Sequence, residues 1–360
     1  MKRSLWGWAF VASFLVLAPP VGAQEKPAQA IAFPDPKLPV FGLPWFKEDS
    51  PLLCRLPARL KKTFTPKVWE LARCPSGGRI RFRTNSRKLT LTAKCESDYT
   101  MYHITSIGQN GFDLYVDGFY QGSTQAVGPD RKEIGEWDLG PAGVDKEVTI
   151  YMPLYKAATI QEIDLDEKAE VNPPRSFAQP HPVVYYGTSI TQGGCASNPG
   201  MSYAAILGRR LDCDFVNLGF SGNGNGDIAV AKAITELQPS AIVLDYWANV
   251  SAEQMGKTLS SFVKILREKF PEVPIFVITP YYTITGINQE LKKSEVDLVT
   301  ARQKKGDAHI QWIDGETMIS RKTAYALVDG IHCNTLGFKL MADQLEKPLR
   351  KVILPKGRGR

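Results

Sequence analysis

The chain has 360 residues, 43% of them hydrophobic and 22% charged, with a formal net charge of +7. That composition excludes a largely disordered chain and supplies length for two cores of ordinary domain size. The positive charge is dispersed except at Lys347, Arg350, Lys351, Lys356, Arg358 and Arg360, so no nucleic-acid partner is expected, and residues 351–360 read as a solvated basic tail.

Met1-Lys2-Arg3 precedes an uncharged apolar run from Leu5 to Ala18 and then Pro19-Pro20-Val21-Gly22-Ala23. A basic start, a short apolar stretch and small residues predict a secretory signal peptide over residues 1–23. A retained anchor would need roughly 20 apolar residues, and no later run reaches that length. The expected mature protein is exported, periplasmic or extracellular, without an integral membrane segment. In such a compartment the even set Cys54, Cys74, Cys95, Cys195, Cys213 and Cys333 permits disulfides. No Cys-x-x-Cys spacing occurs, and only His103 lies near the first three cysteines, so a zinc site is not expected.

From Gly77 to about Ile163 the sequence alternates apolar and polar residues in short runs: Arg79–Arg83, Leu89–Ala93, Gly111–Val116 and Glu147–Met152. This pattern predicts antiparallel strands and an all-β sandwich over residues 24–170, with Asp117-Gly118 as a hairpin turn. Four prolines mark residues 171–182 as a linker. Beyond it, Val183–Tyr186, Phe215–Leu218, Ala241–Leu244, Ile275–Ile278 and Ile310–Ile313 are apolar runs separated by helical stretches such as Ser202–Leu211 and Glu253–Phe270. Alternation of this kind predicts an α/β domain over 183–350 with a five-stranded parallel sheet, whose ligand site forms at the carboxyl ends of the strands.

The first strand of that sheet runs into Gly187-Thr188-Ser189-Ile190-Thr191, which puts a serine where a nucleophile belongs. The second ends in Asn217-Leu218-Gly219-Phe220-Ser221-Gly222-Asn223-Gly224, and Gly219 is taken there as an oxyanion donor through its N–H. The glycines do not fit G-x-G-x-x-G, so a nucleotide is not expected. The third ends in Asp245-Tyr246-Trp247-Ala248-Asn249; the Asn249 amide reads as a further oxyanion donor, with a helix cap or a glycosylation acceptor as alternatives. Asp329 stands three residues before His332, close enough for the carboxylate to orient the imidazole. The other histidines are set aside as bases: His103 in the β-domain, His181 in the linker and His309 at the opposite edge of the sheet. Cys195 and Cys333 flank this centre, where a bridge and two buried free thiols both fit.

These four blocks, in this order, resemble the SGNH (GDSL-type) hydrolases, with Thr188 in the place of the family's aspartate and Cys333 where proline is common. Gly111-Phe112-Asp113-Leu114-Tyr115 is similar to a G-x-D-L-[HY] motif in a bacterial subgroup with an N-terminal β-sandwich. The resemblance implies a flavodoxin-like hydrolase domain behind a jelly-roll-like sandwich. It also implies Ser189 as nucleophile, His332 and Asp329 as its partners, and Ser189, Gly219 and Asn249 as the oxyanion hole, with no metal or organic cofactor. The expected function is a serine esterase acting on carboxylic, above all acetyl, esters of a small molecule or a polysaccharide. The alternatives are a thioesterase or phospholipase of the same fold, and an inactive glycan-binding surface protein. Tyr281, Tyr282 and Trp247 are weighed as sugar-stacking residues, with the core as their default, and so are Trp69, Tyr99, Tyr102, Tyr115 and Tyr120 of the sandwich.

Overall fold

The computed structural model describes residues 29–96, 101–127 and 132–354; the expected signal peptide, Tyr99 and most of the basic tail lie outside them. The first domain carries β1 (Gln29–Ala32), β2 (Val40–Phe41), β3 (Arg79–Thr84), β4 (Lys88–Cys95), β5 (Asp113–Val116), β6 (Phe119–Ser123), β7 (Gln125–Val127), β8 (Lys132–Asp138), β9 (Lys146–Tyr151), β10 (Ala158–Leu165) and β11 (Val171–Asn172). Two antiparallel sheets result, ordered β1-β10-β4-β8-β7 and β11-β3-β9-β5-β6, with β2 beside β3. Alternation does the work predicted for it. In β4 it turns Leu89, Leu91, Ala93 and Cys95 inward, where they join Ile80, Phe82, Val148 and Ile150 of the other sheet in one buried cluster. Asp117 and Gly118 take φ of 48° and 84°, the left-handed pair that a two-residue hairpin requires.

The second domain holds β12 (Gln179–Gly187), β13 (Cys213–Gly219), β14 (Ala241–Asp245), β15 (Ile275–Ile278) and β16 (Ile310–Ile313), all parallel, in the order β13-β12-β14-β15-β16. That is the flavodoxin-like 2-1-3-4-5 arrangement. Its central strands are buried on both faces, which is why they read as unbroken apolar runs. The longer helices here are Tyr203–Leu211, which packs with Thr335–Ile353, and Ala252–Lys269, which packs with Gln289–Lys304. The linker is shorter than expected: Val171 and Asn172 pair with Thr84 and Arg83, and Gln179 pairs with Cys213, leaving 173–178 between the domains. Among the described residues no helix is long and apolar enough to cross a membrane.

β13 lies at the edge of the parallel sheet, with the N–H and C=O groups of Phe215, Asn217 and Gly219 turned to the side away from β12. An unpaired edge invites aggregation unless covered. Here two buried arginines of the first domain cover it. Arg55 donates to the carbonyls of Asn217 at 3.0 Å and Gly219 at 2.6 Å, while Arg79 donates to Phe215 O at 3.5 Å and pairs with Asp214.

Candidate active site

β12 delivers the chain to Thr188, whose hydroxyl accepts from Ile190 N–H at 3.2 Å and caps a short helix, Ser189–Gln192. Ser189 is therefore the first helical residue, and its own N–H takes no partner among the described residues. Gly193 (φ 102°) ends the helix in a left-handed turn.

The first domain holds this turn from below. Ser76 donates to Gln192 O at 2.7 Å, the Gln192 amide donates to Leu154 O at 2.9 Å and accepts from Ser221 N–H at 3.0 Å, and Tyr155 donates to Ser189 O at 3.3 Å. Asp113 of the G-x-D-L-Y motif accepts from Asn198 Nδ2 and Gly200 N–H, both at 2.6 Å, and from Ser123 at 2.6 Å. The motif thus straps the sandwich to the loop that follows the Ser189–Gln192 helix, which explains a buried aspartate in a strand.

Asp329-Gly330-Ile331-His332 makes a tight turn with Gly330 at φ 86°. Asp329 Oδ1 accepts from the N–H groups of Ile331 (3.1 Å) and His332 (2.8 Å), and Oδ2 lies 2.7 Å from His332 Nδ1. His332 Nε2 lies 2.8 Å from Ser189 Oγ. Burial pushes the Asp329 carboxyl up, but the His332 N–H, the His332 ring and the Ile331 N–H outweigh it and hold the group down at about 2. It is therefore ionised across the neutral range. The arrangement can move a proton from Ser189 to His332 while keeping the opposite ring nitrogen bound to a carboxylate.

The oxyanion assignment needs one correction. The Gly219 N–H faces the covered edge of β13 and donates to Asn217 Oδ1 at 2.9 Å, so it is not available to an oxyanion. Gly219 has another purpose: a Cβ there would meet Gln192 N at 2.2 Å, so only glycine lets β13 pass under the Ser189–Gln192 helix. Three residues on, Gly222 is exposed, has φ 66° and open space around it, and its N–H takes no partner among the described residues. It stands between Ser221, bonded to Gln192, and Asn223. Asn249 faces the same loop; with its amide in the orientation that satisfies both ends, Oδ1 accepts from Asn223 and Gly224 N–H at 3.2 Å each, and the NH₂ is turned toward acceptors. Ser251 caps the following helix, so Asn249 does not.

Beneath Ser189, Asp245 is completely buried and accepts from Thr191 and Tyr203 hydroxyls at 3.2 Å each. Burial, outweighing these donors, pushes its carboxyl up to about 7, and the buried Glu295 is raised as well, by burial and then by Asp245. An acid whose folded-state value exceeds its unfolded value of about 4 costs stability as pH rises through that window, because the native state keeps a proton the unfolded chain gives up. Asp245→Asn should therefore gain in melting temperature relative to the native protein between about pH 4 and pH 7. A difference that is flat across this range in thermal scans would contradict the buried, proton-holding carboxyl.

Sequence reasoning set His103 aside, yet the sandwich brings it to the site: its ring centroid lies 5.2 Å from that of His332, and Tyr102, 90% exposed, packs against it at 4.6 Å. No local pattern signals this, since the approach depends on how the two domains dock. His181 and His309 stay remote from Ser189, on β12 before Val183 and at the start of β16. All six cysteines are buried and unbridged, Cys195 and Cys333 included. Trp247 and Tyr281 are core residues, 5% and 0% exposed and packed edge-on at 4.8 Å, and Tyr115 is buried likewise.

Two cavities flank the centre. One, of about 550 Å³, is lined by Lys67, Glu70, Arg73, Glu96 and Lys156 with Tyr155 and Ser221; the other, of about 390 Å³, by Trp247, Val250, Ile287, Leu291 and Ile331 among others.

Residues 180–350 match the model of the GDSL-like Lipase/Acylhydrolase family, and residues 33–171 match that of the N-terminus of Esterase_SGNH_hydro-type proteins. Among curated proteins none matches. A GDSL-like lipase from Bacteroides ovatus is 28% identical with a TM-score of 0.79, covering 90% of this chain and 98% of that one. The salicylyl-acyltransferase SsfX3 from a tetracycline biosynthetic pathway is 20% identical (TM-score 0.75; 89% and 96% covered). A family two carbohydrate esterase from Clostridium thermocellum, solved with cellohexaose, is 15% identical (TM-score 0.60; 90% and 98% covered). The last two likenesses concern the fold.

Proposed function

Since the chain belongs to the SGNH (GDSL-type) hydrolases and is a carboxylic ester hydrolase, we propose that it is an exported serine esterase working through Ser189, His332 and Asp329 on short-chain, above all acetyl, esters of a polar carrier such as a carbohydrate. The observation that carries this reading is the continuous chain from Ser189 Oγ through His332 to Asp329, with contacts of 2.8 and 2.7 Å at the carboxyl edge of the parallel sheet.

In the reaction, Ser189 Oγ attacks the ester carbonyl as its proton passes to His332 Nε2, while Asp329 accepts the Nδ1–H bond and balances the imidazolium. The oxyanion is held by the Ser189 N–H, the Gly222 N–H and the Asn249 NH₂. His332 then protonates the departing alcohol. Water, deprotonated by the same ring, releases the acyl group from Ser189. Asn249→Ala should lower kcat by about 10²–10³ with little change in KM, as expected for a donor engaged mainly in the transition state. A KM effect alone would remove Asn249 from the hole.

The carrier side follows from the charged cavity: five charged side chains suit a hydroxylated alcohol better than a glyceride. A second reading, with a longer acyl chain as in a thioesterase or phospholipase, draws on the cavity beside Ile331, where Trp247, Val250, Ile287 and Leu291 stand with Thr283, Thr285 and Asn288. A series of p-nitrophenyl esters from acetate to palmitate, with an acetylated oligosaccharide alongside, decides between them. Turnover rising toward palmitate would overturn the acetyl reading. A fluorophosphonate probe tests the nucleophile, and failure to label Ser189 would favour an inactive glycan-binding protein.

A further inference from the structure

Beside the proposed triad, and resting on that reading, three side chains from three separate segments converge: His103 of the sandwich, Cys195 of the loop after the nucleophile helix, and His332. One ligand atom from each lies within 4.8 Å of the others. We propose that these residues form a zinc site whose occupation withdraws His332 from Ser189, so that Zn²⁺ reversibly inhibits the esterase.

Several features fit a metal and not merely a wall of the cleft. His103 Nδ1 is a buried ring nitrogen with no hydrogen-bond partner among the described residues. His332 already donates Nδ1–H to Asp329, the carboxylate–histidine arrangement that fixes a ligating imidazole and directs its Nε2 lone pair outward. Cys195 is held in place by a left-handed backbone (φ 73°) that a non-glycine residue rarely adopts. A tetrahedral zinc with two nitrogen ligands and one sulfur spaces them roughly 3.3–3.8 Å apart, so side-chain rotations of about an ångström close the site. Imidazole and thiolate select zinc over magnesium or calcium.

The balance is simple. Zn²⁺ takes the Nε2 lone pair that would accept the Ser189 proton, and the Cys195 thiol loses its proton to solvent as the zinc–sulfur bond forms. A fourth position stays open to water.

The test uses the full mature chain with two readouts. Calorimetric titration with ZnCl₂ should show one site in the native protein and in Ser189→Ala. His103→Phe and Cys195→Ser should each weaken it tenfold or more, with circular dichroism confirming that both variants fold. In parallel, zinc should inhibit hydrolysis of p-nitrophenyl acetate, EDTA should restore it, magnesium should not inhibit, and each substitution should raise the inhibitory concentration tenfold or more. Zinc binding or inhibition undiminished in both variants overturns the proposal. A protein without esterase activity before zinc is added overturns the triad reading instead, and the titration still decides whether the site exists.

Discussion

Ser189→Ala should lower kcat on a small acetate ester by about 10⁴–10⁶-fold while leaving the melting temperature within a few degrees of the native value. The size follows from covalent catalysis: without Oγ there is no acyl-enzyme, and only substrate binding and the oxyanion donors remain. The fold should survive because Ser189 Oγ has His332 as its side-chain partner, whereas the turn is held by backbone and neighbouring groups, among them Gln192, Ser76 and Tyr155. His332→Ala should cost nearly as much, and the double variant little more, since the two act as one unit. Asp329→Ala should cost less, by one or two powers of ten. The acid limb of the rate profile should not come from Asp329, which is held at about 2. Steady-state kinetics with active-site titration check all of this; a Ser189→Ala protein retaining a tenth of native activity would end the assignment.

The limits of sequence reading follow a physical line. β15 was legible to the residue because a strand buried on both faces must be apolar throughout, and β16, at the edge of the sheet with Gln311 and Trp312 exposed, was legible from Ile310 and Ile313 at its ends. The hairpin at Asp117-Gly118 was legible because left-handed φ values restrict residue choice. The positions of Ser189, Asp329 and His332 follow from strand ends and one tight turn, both local. Gly219 went astray because a glycine at a strand end looks alike whether it offers an N–H or makes room for a helix. Only the edge position of β13 separates the two roles, and that depends on strand order. His103, Ser76, Tyr155 and Arg55 were invisible for the same reason: each reaches the second domain across more than 30 residues of sequence, and no periodicity encodes docking.

Arg55 shows how much of the site depends on that docking, and Arg55→Met should destabilise the protein by about 2 kcal/mol or more. The side chain is fully buried beneath the ring of Phe220 and donates to four backbone carbonyls: Leu71 and Cys74 of its own domain, Asn217 and Gly219 of the other. Among the described residues no carboxylate bonds to it. Burial alone draws its guanidinium down to about 10, a measure of the desolvation it bears. Methionine removes that penalty and fills the volume, and Leu71 O and Cys74 O keep the N–H groups of Cys74 and Ser76, but the buried Asn217 and Gly219 carbonyls lose their donor, each costing about 1–3 kcal/mol. Lysine keeps the charge and loses the fork, so Arg55→Lys should recover only part of the stability. Because two of the four carbonyls belong to the strand that leads into the Gly222 loop, the methionine variant should lose kcat as well as stability even below its melting temperature. Urea midpoints with activity measured on the folded fraction would separate the two effects, and an unchanged midpoint would mean that the edge of β13 is held by something other than this arginine.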